Sequence, residues 1–153
     1  MRQAAWIAAF VMGFASAPSL AAGATLSPAD TASAFKAAGY KQDGKRWVAC
    51  AQGTISEVRD INGDGLPDAV ITEESTECHG MAGQGFSLVS KQADGSWKRL
   101  AGGTGIATFL ASGNKGWPDL EVGGPGFCFP VLRWNGQKYV PNRYEYEGKR
   151  CKP

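Results

Sequence analysis

Histidine, metal-type cysteine spacing and charge of one sign are all scarce in this chain. Its 153 residues include 1 histidine, and 16 Lys and Arg stand against 14 Asp and Glu. A near-neutral chain carries no electrostatic footprint for nucleic acid. The basic tail Lys149, Arg150, Lys152 is interleaved with Glu145 and Glu147 and reads as a solvated end. The 4 cysteines include no C-x-x-C pair, so with one histidine a zinc site lacks its usual ligands. No triad spacing is evident: Ser75 and Ser87 stand in no nucleophile signature, and the chain is expected not to be an enzyme. The apolar run Ala4–Ala15 is shorter than the roughly 20 residues a permanent bilayer-spanning helix needs.

That run has another use. Arg2 precedes it, Pro18 and Ser19 break it, and the small residues Ala21, Ala22, Gly23 and Ala24 follow. This is the order of a secretory signal peptide over residues 1–24, with cleavage after Ala22 or Ala24. No cysteine stands at the cleavage region, so no lipid or other permanent membrane anchor is expected. The mature chain is expected in the periplasm or outside the cell. There, Cys50, Cys78, Cys128 and Cys151 are expected to form two disulfides. Three pairings are open. Cys50–Cys78 and Cys128–Cys151 are favoured, because each pair flanks a hairpin-sized excursion.

Residues 25–153 read as one mainly β domain. A short helix opens it over Pro28–Ala38. Ser27 is a good N-cap, Pro28 suits the first position, Asp30 sits in the first turn and Gly39 stops the helix. Ala32, Phe35 and Ala38 share its apolar face. Beyond Tyr40, short apolar stretches alternate with turns. Strands are expected at Arg46–Cys50, Thr54–Arg59, Ala69–Thr72, Gly85–Ser90, Trp97–Leu100, Ile106–Leu110, Leu120–Val122, Val131–Trp134 and Lys138–Val140. Asp43-Gly44, Asp94-Gly95 and Asn135-Gly136 are hairpin turns.

The turns expose an internal repeat. K-Q-D-G-K-R-W at Lys41–Trp47 returns as K-Q-A-D-G-S-W at Lys91–Trp97. A-Q-G-T at Ala51–Thr54 returns as A-G-G-T at Ala101–Thr104, and G-L-P-D at Gly65–Asp68 as G-W-P-D at Gly116–Asp119. Trp134–Tyr139 begins a third, partial copy. Two and a fraction copies, residues 40–90 and 91–140 with a remnant, fall short of a closed propeller of typically four to eight blades. A compact open fold of antiparallel β hairpins is expected, with the helix covering an edge.

The strongest local signal is D-I-N-G-D-G-L-P-D, Asp60–Asp68. Side-chain oxygens fall at alternate positions, Asp60, Asn62 and Asp64, then at Asp68, and Leu66 can offer its carbonyl. Calcium takes six to eight oxygen ligands in a flexible geometry. Gly63 and Gly65 permit the bends, and three carboxylates on nine residues repel without a cation. An EF-hand is excluded. Its twelfth position is Ile71 rather than Glu, Pro67 removes an N–H, and the flanks read as strands. A metal-free Asp/Gly turn is the plain alternative.

D-I-N-G-D-G-L-P-D followed by A-V-I resembles the calcium loop of FG-GAP and VCBS-type repeats, and D-L-E-V-G-G-P-G at Asp119–Gly126 is similar to the end of the same repeat. The likeness covers roughly residues 40–139. It implies Ca2+ held by Asp60, Asn62, Asp64, the Leu66 carbonyl and Asp68, with a structural role in an inter-strand hairpin, and adhesion or ligand binding as the purpose. The second copy departs. Ala111, Gly113 and Lys115 replace its first three ligands and only Asp119 is kept. One calcium site is therefore expected, with Lys115 as a stand-in for the cation in the other copy.

Between this loop and the next strand lies Glu73–Gly85. It holds Glu73, Glu74, Glu77 and the lone His79. It reads as a solvated acidic loop, or as a binding loop pinned by Cys78, with Glu74, Glu77 and His79 as candidates and His79 as a possible general base. Gly123–Pro130 reads as a tight turn and a strand, or as a shallow apolar groove. Trp117, Trp134, Tyr139 and Tyr144 fit either a core or a carbohydrate-stacking face. The function these features imply is an exported calcium-stabilised module that binds a protein or glycan of the cell envelope. A periplasmic inhibitor of a cell-wall hydrolase is the alternative.

Overall fold

A computed structural model describes residues 24–153; all but the last residue of the expected leader lie outside the described residues. The helix α1 spans Pro28–Ala38. The Ser27 hydroxyl accepts the Asp30 N–H at its start, and Gly39 ends it in the left-handed conformation at φ 94°. Asp30 does more than complement the helix dipole. Its carboxylate accepts the Lys91 ammonium at 2.8 Å and the Trp97 indole N–H at 3.1 Å, which fastens the helix to a distant hairpin. The Lys91 hydrogen bond, then that of Trp97, holds the Asp30 carboxyl below its ordinary range.

A small ribbon follows, β1 (Lys41–Asp43) with β2 (Arg46–Val48). Then come β3 (Gly53–Arg59), β4 (Asp68–Glu74), β5 (Gln84–Lys91) and β6 (Trp97–Thr104), a four-stranded antiparallel sheet in the order β3-β4-β5-β6. The second sheet continues with β7 (Ile106–Asn114), β8 (Trp117–Gly123), β9 (Phe129–Trp134), β10 (Tyr139–Tyr146) and β11 (Lys149–Arg150), again each strand beside its neighbour in sequence. The described residues thus form a mainly β fold of open antiparallel sheets, not a closed propeller. Lys41–Trp47, Lys91–Trp97 and Trp134–Tyr139 each fall on a hairpin turn, of β1–β2, β5–β6 and β9–β10. Asp68 and Asp119 each lie near the start of the second strand of a sheet.

Each expected strand is present, and several run further. β7 extends to Asn114 because Lys115 and Gly116, both at positive φ (51° and 83°), close a two-residue turn whose twist suits a hairpin. β8 begins before Pro118 and β10 runs through Pro141, and in each case the register shifts beside the proline, where a missing N–H is tolerated. The tail is solvated as expected, and it also forms a strand. Lys149 and Arg150 pair with Tyr146 and Glu145 as β11.

The first sheet is buried on both faces. On one, Ala69, Ile71, Val58 and Val89 pack against Ala34, Phe35 and Ala38 of α1. Ala34, rather than Ala32, is the fully buried alanine of that helix. Phe35 stacks on Trp47 at 5.2 Å and meets Tyr40 edge-on at 5.4 Å. A Cβ at Gly53 would stand 2.5 Å from the Tyr40 ring, so the strand passes beneath these aromatics only as glycine. On the other face, Val70, Phe86 and Leu88 meet Leu120, Trp117 and Tyr139 of the second sheet. Trp117, Trp134 and Tyr139 touch one another with ring centroids 5.2–6.2 Å apart and belong to this core; Tyr144 is exposed.

Disulfides join Cys50 to Cys78 and Cys128 to Cys151, the pairing that spacing favoured, and none of the four is free. Among the described residues no helix is long and apolar enough to cross a membrane. Cys151 ties down the two-residue strand β11, which has little apolar burial of its own. The double variant Cys128→Ser/Cys151→Ser is therefore predicted to lose about 3 kcal/mol in urea unfolding, as expected for a loop of this size. The β11 amides should exchange with solvent far faster than those of β5. Unchanged exchange at β11 would show that pairing alone holds the tail.

Candidate functional site

The loop between β3 and β4 is wound around its own carboxylates. Asp60 Oδ1 accepts the N–H groups of Gly63 (2.7 Å) and Asp64 (3.1 Å), and its Oδ2 accepts that of Gly65 (2.8 Å). Asn62 Oδ1 accepts the Asp64 N–H, and its amide donates to Asp64 Oδ2 at 2.9 Å. Asp64 Oδ1 accepts the Leu66 N–H at 2.8 Å. Gly63 and Gly65 take φ values of 77° and 83°, a region that side chains rarely adopt. Asp60, Asn62 and Asp64 are thus drawn together by short-range backbone bonds. Leu66 enters through its N–H.

Asp68 closes the loop from the strand. It is fully buried, and its Oδ2 accepts the Ile61 N–H at 2.8 Å. Its Oδ1 is buried without a hydrogen-bond partner. The Ser90 hydroxyl, 3.4 Å from the Lys91 carbonyl, is near enough to favour the charged carboxylate but makes no hydrogen bond to that oxygen. Burial pushes the Asp68 carboxyl up to about 6; the negative charges of Asp64 and Asp60 add to this, and Ser90 and the Ile61 N–H oppose it. Among the described residues no three His, Cys, Asp or Glu side chains gather closely enough to hold a metal by themselves. The loop offers a mixed set of oxygens, in which Asn62 and backbone carbonyls would have to complete the sphere.

The corresponding aspartate of the second sheet is treated differently. Asp119 is also fully buried, yet it has four donors on it. Arg133 donates to both oxygens at 2.9 and 2.8 Å, Arg143 donates at 2.6 Å, and the Ser112 hydroxyl donates at 2.7 Å. The Arg133 bonds above all, with those of Ser112 and Arg143, hold its carboxyl well below the usual range despite burial. Arg143 also pairs with Glu145. The positive charge beside Asp119 is therefore a pair of arginines and not Lys115, whose ammonium lies beside Gly136 in the β9–β10 turn. The sequence offered no local signal for them. Arg133 and Arg143 lie 14 and 24 positions from Asp119, and only the sheet register brings them together.

The segment after β4 is folded, not a plain loop. Ser75 caps a short helix α2 (Thr76–His79), and a 3-10 turn (Gly80–Ala82) leads to β5. Glu74 and Glu77 point to solvent, whereas His79 turns inward, so the three candidates do not converge. His79 Nε2 lies 3.1 Å from Glu73 Oε1, and its Nδ1 lies 3.1 Å from Thr104 Oγ1. Glu73 Oε2 accepts the Ala51 N–H at 3.0 Å. Thr104 is a partner that sequence reasoning missed. Gly85 stands directly across from it in the β5–β6 register, and a Cβ on Gly85 would sit 2.3 Å from the His79 ring.

The chain matches no family model, no curated protein and no solved structure.

The Asp119 cluster has a signed pH dependence. Its folded pKa lies below the ordinary 3.8, so the stability it contributes is complete above that value and is lost as pH falls through the folded pKa. Replacing Arg143 by alanine leaves a buried carboxylate with a weaker set of partners. A loss of about 3 kcal/mol at pH 7 is predicted from urea unfolding. Asp119→Asn should flatten the acid limb of the stability profile below pH ~4. An acid limb identical to wild type would remove Asp119 as its source.

Proposed function

We propose that Asp60–Asp68 holds one calcium ion that fastens the β3–β4 hairpin, and that the chain is an exported, disulfide-held module for binding a protein or glycan at the cell surface. The observation that carries the calcium reading is the contrast between two buried aspartates. Asp119 has two arginines on it; Asp68 has one backbone N–H and a buried oxygen with no partner. A buried charge without a counter-charge costs several kcal/mol, so a cation at Asp68 answers the same need that arginine answers at Asp119. The donors on offer are carboxylate, amide and carbonyl oxygens, the set a hard divalent cation takes. Asp60, Asn62, Asp64, the Leu66 carbonyl and Asp68 would hold it. The ion would supply charge and rigidity here.

The repeat reading and the FG-GAP likeness draw support from the matched placement of the sequence copies on hairpin turns and second strands. Export draws support from the two disulfides, which persist in oxidising compartments. Exposed aromatic rings at Phe127, Tyr144 and Tyr146 are the kind of surface that protein or glycan binding uses. The inhibitor reading draws less, because the segment after β4 folds back through His79 and offers no free binding loop there.

Thermal melts with calcium and with excess chelator test the site. Wild type should gain several degrees in calcium, since a ligand at a thousandfold excess over its Kd stabilises by about 4 kcal/mol. Asp64→Ala should lose that gain. Asp68→Asn should lose it too, yet melt above wild type in chelator, because it removes an uncompensated buried charge. A wild type indifferent to millimolar calcium would sink the metal reading. An Asp68→Asn variant less stable than wild type in chelator would sink the charge argument behind it.

A further inference from the structure

The described residues also contain a carboxylate, an imidazole and a hydroxyl in one line. Glu73 Oε1, the two ring nitrogens of His79 and Thr104 Oγ1 are linked by contacts of 3.1 Å each. Glu73 and His79 are almost covered, with side chains 12% and 10% exposed, and Thr104 is exposed. A carboxylate only accepts hydrogen bonds, so the Nε2 proton of His79 is held by Glu73. Nδ1 is then left with its lone pair facing the Thr104 hydroxyl. That is the logic of an activated nucleophile: a base within reach of the hydroxyl, and a third group fixing the tautomer of the base.

The surroundings fit a reaction rather than a plain hydrogen-bond chain. The three residues line a cavity of about 380 Å³ that also contains Tyr40, Arg99 and apolar atoms of Ala38. His79 lies over Gly85 and the Arg99 guanidinium lies over Gly102, two strand positions where a Cβ would collide with them. The two glycines therefore let the His79 ring and the Arg99 guanidinium lie flat on the strands that border the cavity. The Cys50–Cys78 disulfide, next in sequence to His79, fixes the short helix that carries the base.

We propose that Glu73, His79 and Thr104 form an acyl-transfer centre acting on carboxylic esters with a small acyl group. Thr104 Oγ attacks the ester carbonyl carbon while His79 Nδ1 takes its proton. The carbon–oxygen bond to the leaving alcohol breaks, and His79 returns the proton to that alcohol. Water then attacks the threonyl ester, His79 takes a proton from it, the carboxylic acid departs, and Thr104 recovers its hydrogen. Arg99, in the same cavity, places positive charge near the oxyanion. Glu73 is a positioning residue in this scheme. The proposal does not rest on the calcium reading, and either can fail without the other.

Two measurements on the oxidised mature chain decide it. The first is hydrolysis of p-nitrophenyl acetate and butyrate at neutral pH. Thr104→Val and His79→Ala should each lower the protein-dependent rate by about 100-fold or more, in line with general-base catalysis, and Thr104→Ser should keep it. Melting temperatures run alongside show whether each variant is folded. The second is labelling with a fluorophosphonate, which needs an activated hydroxyl but not the natural ester. Thr104 Oγ should displace fluoride, forming an oxygen–phosphorus bond, and peptide mass mapping should place the adduct on Thr104 and find none in His79→Ala. A wild type that neither hydrolyses these esters above its folded variants nor carries the adduct on Thr104 overturns the proposal. Labelling that persists in His79→Ala overturns the role of the base.

Discussion

A carboxylate that folding takes out of water must find positive charge or hydrogen bonds, and this structure does so twice. Asp68 and Asp119 are both fully buried. At Asp119 the solution spans three strands, because Ser112, Arg133 and Arg143 come from β7, β9 and β10. The second sheet is thus stitched across its width by one carboxylate. Tyr139 stands close enough to both aspartates for their charges to add to burial in raising its hydroxyl pKa, and that hydroxyl donates to the Pro118 carbonyl at 2.7 Å. At Asp68 the hydrogen bond reaches only to the adjoining loop. The second sheet therefore carries its counter-charge within the chain, and the first has an oxygen still to be satisfied.

The second constraint is size. A domain this small buries a modest fraction of its surface, and two thin cores need additional fastening. The first sheet gains from burial on both faces, which accounts for a β5 strand that is buried over Gly85–Ser90 with polar serines among its apolar residues. The helix contributes Phe35 to one core and the Asp30 carboxylate to the edge, where Lys91 and Trp97 meet it. The disulfides act where packing is thinnest. One clamps the short α2 helix to the segment before β3, and the other holds the final strand, whose two residues are exposed.

Much of this was legible in the sequence, and for physical reasons. Capping, turn and alternation signals are local, so α1 and the strands stood out from Ser27, Gly39, Asp43-Gly44 and Asn135-Gly136. Ends were less visible. Pro118 and Pro141 lack the N–H a ladder uses, but a register shift beside each one lets the strand continue. The oxygen-rich loop was visible because its residues are contiguous. The arginines on Asp119 and the threonine beside His79 were hidden because they depend on register. Lys115 was adjacent in sequence and was the natural guess; strand pairing placed Arg133 and Arg143 closer. Similarly, Glu74 rather than Glu73 is the candidate from sequence, yet side chains alternate along β4, and it is Glu73 that shares the face of Ala69 and Ile71 and meets His79.

That alternation links the two ends of β4. Asp68 opens the strand on the face toward the second sheet, and Glu73 lies five positions on, facing the helix side and His79. A slip of one residue between β3 and β4 would exchange the faces of β3, while β4 stays in register with β5 and keeps Glu73 opposite Gly85. The β3–β4 pairing already contains one register shift, between Ile55 and Glu57, so its phase is not set by alternation alone. The loop sets it at the other end. Asp60 gathers the N–H groups of Gly63, Asp64 and Gly65, Asp68 takes that of Ile61, and Arg59 then faces Asp68. The wound loop is in this sense a register pin. The placement of the Glu73 carboxylate against His79 has a separate source, the β4–β5 pairing that runs without a shift from Asp68 to Glu74.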